Sequence, residues 1–114
     1  MTGVSTHVLD TAKGTPARDV PVQLERQESS GQWSIMASAR SGQDGRCGQL
    51  LPEGQALSPG TYRLTFDTAS YFSAQGVRGL YPIVQVTFFV REGETHFHIP
   101  LLLNPHGYTT YRGS

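Results

Sequence analysis

Two of the histidines in this 114-residue chain, His96 and His98, stand two positions apart and alternate with Phe97 and Ile99. In an extended strand that spacing puts both imidazoles on one face and both apolar side chains on the other, where the core should lie. His7 falls in a similar pattern, sharing a face with Ser5 and Leu9, while Val4, Thr6 and Val8 take the opposite one. Imidazoles on such a face can move protons near neutral pH, or bind a metal if further ligands converge on them. Left alone, they are solvated or structural side chains. Arg46 follows the Asp44-Gly45 turn and precedes Cys47. Adjacent strand residues point to opposite faces, so if Arg46 faces a polar site, Cys47 faces the interior. Burial raises the pKa of a thiol and leaves it inert, and Cys47 is therefore expected to be a small buried hydrophobe and no nucleophile. There is no Gly-x-Ser-x-Gly elbow either. Any hydrolysis would use water held beside a neutral imidazole, which limits it to activated substrates. A guanidinium such as that of Arg46 suits the task, because its fork binds planar carbonyls and stabilises a developing oxyanion. The plainer reading of Arg46 is a solvated surface cation.

These side chains need strands to hold them, and period-2 alternation runs along nearly the whole chain. After Val4, Thr6 and Val8 it recurs in Val20, Val22 and Leu24, in Trp33, Ile35 and Ala37, and in Tyr62, Leu64 and Phe66. It returns in Val84, Val86, Phe88 and Val90, and in Phe97, Ile99 and Leu101. Turn-forming clusters separate the runs: Lys13-Gly14-Thr15-Pro16, Ser29-Ser30-Gly31, Asp44-Gly45, Ser58-Pro59-Gly60 and Glu92-Gly93-Glu94. Short strands at roughly ten-residue spacing predict an all-β sandwich or barrel. One segment departs from the pattern. Asp67 can cap a helix and Gly76 can stop one, which predicts a single short helix near residues 68–76. No repeat, low-complexity tract or linker divides the chain, so residues 1–114 read as one domain.

Composition narrows the partners. Nine acidic and nine basic side chains balance, and the basic ones are spread from Lys13 to Arg112 without forming a run, which argues against nucleic acid. A single cysteine excludes an intrachain disulfide and fits a reducing compartment. Residues from Met1 to Asp10 carry neither a positive cluster nor an apolar h-region, and Gln85 and Thr87 interrupt the apolar stretch from Ile83 to Val90. The chain is therefore expected to be a soluble cytoplasmic protein without signal peptide or membrane span. Its last residues lack the Ser-Lys-Leu type of peroxisomal address.

Several stretches resemble one known family. Thr6-His7-Val8-Leu9-Asp10, Asp44-Gly45-Arg46-Cys47, Gly60-Thr61-Tyr62, Tyr71-Phe72, Tyr81-Pro82 and the run from His96 to Leu103 are similar to the 5-hydroxyisourate hydrolases of the transthyretin-like family. The likeness covers essentially the full length. The ending Tyr111-Arg112-Gly113-Ser114 matches that family's terminal signature, which hormone-carrying transthyretins lack. The resemblance implies a homotetramer, a dimer of dimers, of eight-stranded two-sheet sandwiches. Its active sites would lie in the channel between dimers, with the terminal tetrapeptide folding into them. It implies a small purine-derived substrate, 5-hydroxyisourate, whose lactam ring is opened to 2-oxo-4-hydroxy-4-carboxy-5-ureidoimidazoline, with no cofactor and no metal. Carried over by motif, the catalytic residues are His7, Arg46 and His98, and the substrate-binding ones are Tyr111, Arg112, Gly113 and Ser114. A neutral histidine of the His7 and His98 pair would activate water, Arg46 would orient the substrate, and Tyr111 with the carboxylate of Ser114 would shape the pocket. Asn104 and His106 depart from the family's usual residues; they flank the signature without breaking it, and His106 is expected at the surface. Two other functions fit the fold: a non-catalytic carrier of a small aromatic ligand, which predicts an apolar channel, and a structural sandwich whose histidines hold zinc.

Overall fold

A computed structural model describes residues 3–114. Met1 and Thr2, the first residues of the expected leaderless start, lie outside the described residues. The strands are β1 (Gly3–Asp10), β2 (Thr15–Pro16), β3 (Pro21–Gln27), β4 (Trp33–Arg40), β5 (Arg46–Cys47), β6 (Gly60–Phe66), β7 (Val84–Val90), β8 (His96–Asn104) and β9 (Gly107–Thr110), with one helix, α1 (Thr68–Ser73), after β6. The expected all-β sandwich is what forms. One sheet runs β2-β1-β8-β9 with β5 also paired to β1, and the other runs β4-β3-β6-β7.

The inner faces carry the residues that the alternation assigns to them. Val4 and Val8 meet Val22, Leu24, Tyr62, Leu64, Phe66, Leu101 and Leu103 in one core, nearly all fully buried. Burying a side chain of this size contributes about 1.5–3 kcal/mol, which is what a chain with no disulfide must rely on. Within the first sheet β1 and β8 are parallel, Ser5 beside His98 and Thr6 beside Ile99. β5 pairs antiparallel on the other edge of β1, His7 opposite Arg46 and Thr6 opposite Cys47.

Two expectations change in detail. Trp33, Ile35 and Ala37 do not share a face. The β3–β4 register shifts between Leu24 and Glu25, pairing Leu24 with Ala37 but Glu25 with Ile35. This bulge, the extra residue being Met36, flips the alternation. Ala37 and Met36 pack on the core, while Ile35 is left 60% exposed. The helix is also shorter than the predicted span. Asp67 caps it by accepting from the Ser70 amide, as expected, but it ends at Ser73 and residues 74–76 form a turn, closed by Gly76 at φ +68°. Tyr71 of α1 donates to the buried Asp10 carboxylate at 2.7 Å and pins the helix to the end of β1. Burial above all, with the Asp10 carboxylate adding to it, pushes the Tyr71 phenol up to about 12.

Candidate active site

The outer face of the first sheet is polar around the middle of β1. Because directly paired residues point the same way, the registers put Arg46, His7, Ser5 and His98 on one surface across β5, β1 and β8. The core side of the same pairs holds Cys47, Thr6 and Ile99. Cys47 is buried, and burial foremost pushes its thiol up, with the Asp44 charge adding to it. Its chemistry is silenced, as the strand alternation predicts.

Each of these side chains is held by local geometry. The turn before Arg46 lies against β1, where the Gly45 carbonyl accepts from the Val8 amide at 2.7 Å. Gly45 has φ +81°, and a Cβ there would sit 2.3 Å from the Val8 carbonyl oxygen, so only glycine fits. The Asp44 carboxylate accepts from the Arg46 amide at 3.0 Å and leaves its own backbone carbonyl facing His7 Nε2 at 2.8 Å. A carbonyl only accepts, so His7 Nε2 carries a hydrogen. The Arg46 side chain, 55% exposed, makes a loose 3.9 Å pair with Asp44.

His98 is set differently. Its Nδ1 lies 2.8 Å from Ser5 Oγ. On the other edge of β8 the C-terminal segment continues beyond β9, and the Gly113 amide donates to the His98 carbonyl at 2.6 Å. Burial foremost, then the Arg46 charge, with His7 and His96 adding to it, holds His98 below its ordinary value of 6.5. That shift favours the neutral ring at pH 7. His96, two residues back on the same face, is exposed.

The rest of the terminal signature goes elsewhere. The Arg112 guanidinium donates to Glu94 at 3.1 Å and to the His96 carbonyl at 3.1 Å, and it stacks 4.2 Å over the Phe97 ring, on the core side of β8. Tyr111, 56% exposed, joins Arg112 along a groove of about 330 Å³ lined by Val86, Phe88, Phe97 and Ile99, where the sandwich opens between β7 and β8. Ser114 follows Gly113 and is exposed. The fold thus brings together His7, Arg46, His98 and Gly113, and directs the Tyr111 and Arg112 side chains to the neighbouring groove. His106 is exposed in the β8–β9 turn. Among the described residues, no three or more His, Cys, Asp or Glu side chains group as a metal site. Sequence reasoning passed over Ser5 and the Asp44 carbonyl as partners of the imidazoles; the shared face of Ser5 and His7 was the available signal for the first.

A two-sheet sandwich with imidazoles and a guanidinium on the outer face of one sheet defines a transthyretin-like protein with a polar site. The chain belongs to the HIUase/Transthyretin family, which it matches over residues 4–113. It is 46% identical over 112 residues to the 5-hydroxyisourate hydrolase of Mus musculus, covering 97% of this chain and 94% of that protein. The solved 5-hydroxyisourate hydrolase of Klebsiella pneumoniae is similar across 100% of both chains, with a TM-score of 0.86 and 36% identity. A sea bream transthyretin solved in complex with thyroxine is also similar, with a TM-score of 0.89 and 32% identity over 96% of this chain and 93% of that one. Fold alone therefore does not separate enzyme from carrier.

Proposed function

We propose that this chain is a hydrolase that opens the lactam ring of 5-hydroxyisourate to 2-oxo-4-hydroxy-4-carboxy-5-ureidoimidazoline in urate degradation. The observation that carries the reading is the convergence of His7, Arg46 and a neutral His98 on one open face. Relatives named for this activity support it. A carrier of an apolar ligand would leave those polar groups facing it without partners, at a cost in binding.

His98 is the base. His7 Nε2 is committed as a donor to the Asp44 carbonyl, whereas His98 has its Nε2 available and is held neutral. Nε2 takes a proton from water as the water oxygen attacks the lactam carbonyl. The new C–O bond forms, negative charge gathers on the carbonyl oxygen, and the Arg46 guanidinium stabilises it. Collapse breaks the ring C–N bond, and the proton held on His98 passes to the leaving nitrogen. His7, a donor through Nε2, fixes the turn that carries Arg46. Of the terminal residues Gly113 borders the pocket at His98, while Tyr111 and Arg112 line the neighbouring groove.

The site works in a homotetramer, since one sheet face supplies only one wall. Sheet edges β7 and β9 with exposed Phe89, Ile83 and Tyr108 support assembly. No helix among the described residues is long and apolar enough to cross a membrane, and a lone buried thiol suits the cytoplasm. The test is to generate 5-hydroxyisourate in situ with urate oxidase and follow its ultraviolet absorbance. Accelerated decay is expected. Saturable binding of a small aromatic ligand with no acceleration would establish the carrier instead.

A further inference from the structure

Resting on the reading of His98 as the base, we propose that Ser5 is a positioning residue that, together with Gly113, clamps the His98 imidazole by two edges and presents Nε2 as its proton acceptor. Rotation about the Cβ–Cγ bond of a histidine is broad and roughly two-fold, so sterics alone scarcely distinguish a ring from its flipped form. At His98 the two edges next to Cγ meet different neighbours. Ser5 Oγ lies 2.8 Å from Nδ1. On the opposite edge Gly113 fits so closely that an added Cβ would come within 2.6 Å of Cδ2. A flip would set carbon Cδ2 against the hydroxyl and turn Nδ1 toward Gly113, losing the hydrogen bond. The orientation seen is thus chosen by Ser5 and confined by Gly113.

The same contact accommodates the tautomer that a base at Nε2 requires. A neutral imidazole has one donor and one acceptor, and a serine hydroxyl can take a hydrogen bond while offering its own proton to water. With Nδ1–H donated to Ser5 Oγ, the lone pair falls on Nε2, the nitrogen left uncovered by the clamp. When Nε2 takes up a proton, Nδ1–H keeps its partner, so the imidazolium formed during turnover needs no rearrangement. Parallel pairing makes this possible, because Ser5 and His98 sit side by side in register on neighbouring strands. The contact joins residues 93 positions apart and is partly buried.

The test combines histidine ¹⁵N NMR with steady-state kinetics on the full chain, its Ser5→Ala and Ser5→Thr variants, and Gly113→Ala. In the unaltered protein at neutral pH, His98 is expected to show a protonated Nδ1 and an unprotonated Nε2. Ser5→Ala should mix the tautomers and lower kcat about tenfold or more, the scale of losing a reacting group's alignment, with KM little changed. Ser5→Thr keeps the hydroxyl and should restore both the spectrum and kcat; Gly113→Ala should shift the His98 ring signals and lower kcat. An Nε2–H tautomer in the unaltered protein would overturn the proposal without any variant. So would a Ser5→Ala protein with normal kcat, or a Ser5→Thr protein as slow as Ser5→Ala. Failure of His98→Ala to slow the reaction would instead remove the base assignment, so the two failures are distinguishable.

Discussion

The outer faces of the two sheets are built from the same kinds of side chains and end in opposite states. On the second sheet Glu25, Arg63, Thr65 and Trp33 close on one another. Arg63 donates to both Glu25 oxygens, at 3.1 and 2.7 Å, Thr65 donates to the same carboxylate, and the guanidinium stacks 4.1 Å over Trp33. Glu25 is left only 7% exposed, and the Arg63 hydrogen bonds, acting against burial, hold its carboxyl below the usual range. On the first sheet the Arg46 guanidinium remains open, and His98 uses one nitrogen inward and keeps the other. A polar cluster that satisfies itself holds structure; one that stops short of doing so retains capacity for a substrate.

That contrast predicts separable losses. His98→Ala should cut the hydrolytic rate about a hundredfold or more, the scale of losing a general base, and leave the urea midpoint near that of the parent. Acidification acts on the same group. Since His98 lies below 6.5, the rate should hold at neutral pH and then fall through one ionisation below that value, about tenfold per pH unit once past it; a rate already falling above pH 7 would speak against His98. Arg46→Lys should lower kcat about tenfold, because an ammonium keeps the charge but not the planar two-point contact; equal rates would mean that Arg46 acts as charge alone.

Glu25→Gln is the counterpart on the closed face, expected to cost about 1–3 kcal/mol of stability and to leave kcat unchanged. Its pH dependence has a definite sign. The folded pKa is depressed, so the contribution is whole above the ordinary 4.5 and is lost as pH falls through the lowered folded value. Urea midpoints of the parent and Glu25→Gln should therefore converge below pH 4.5, and a constant gap would contradict the assignment.

Much of this division was legible in the residue order, for physical reasons. Alternation around Val4, Thr6 and Val8 and around Phe97 and Ile99 put the histidines on the non-core face, because a strand with one buried side has little choice of register. Adjacency placed Cys47 inward once Arg46 faced out. The misreading of Trp33 and Ile35 came from a bulge, which inserts Met36 between two registers and follows from pairing with β3, a long-range event invisible in β4 itself. The helix stopped early because residues 74–76 form a turn that Gly76 closes at φ +68°. For the site, motif likeness grouped the whole terminal signature with the histidines, yet only Gly113 reaches His98, since successive residues diverge and Arg112 finds Glu94 and Phe97 on the other side of β8. Ser5 was hidden because its importance depends on the parallel pairing of β1 with β8, residues 93 positions apart.

The most direct test measures both properties on both faces: 5-hydroxyisourate decay and urea midpoint for the parent, His98→Ala and Glu25→Gln at pH 7.5. His98→Ala should lose the rate and keep the midpoint, while Glu25→Gln keeps the rate and loses midpoint. A folded His98→Ala protein with a rate within tenfold of the parent would contradict the claim that the open face of the first sheet is the hydrolytic site.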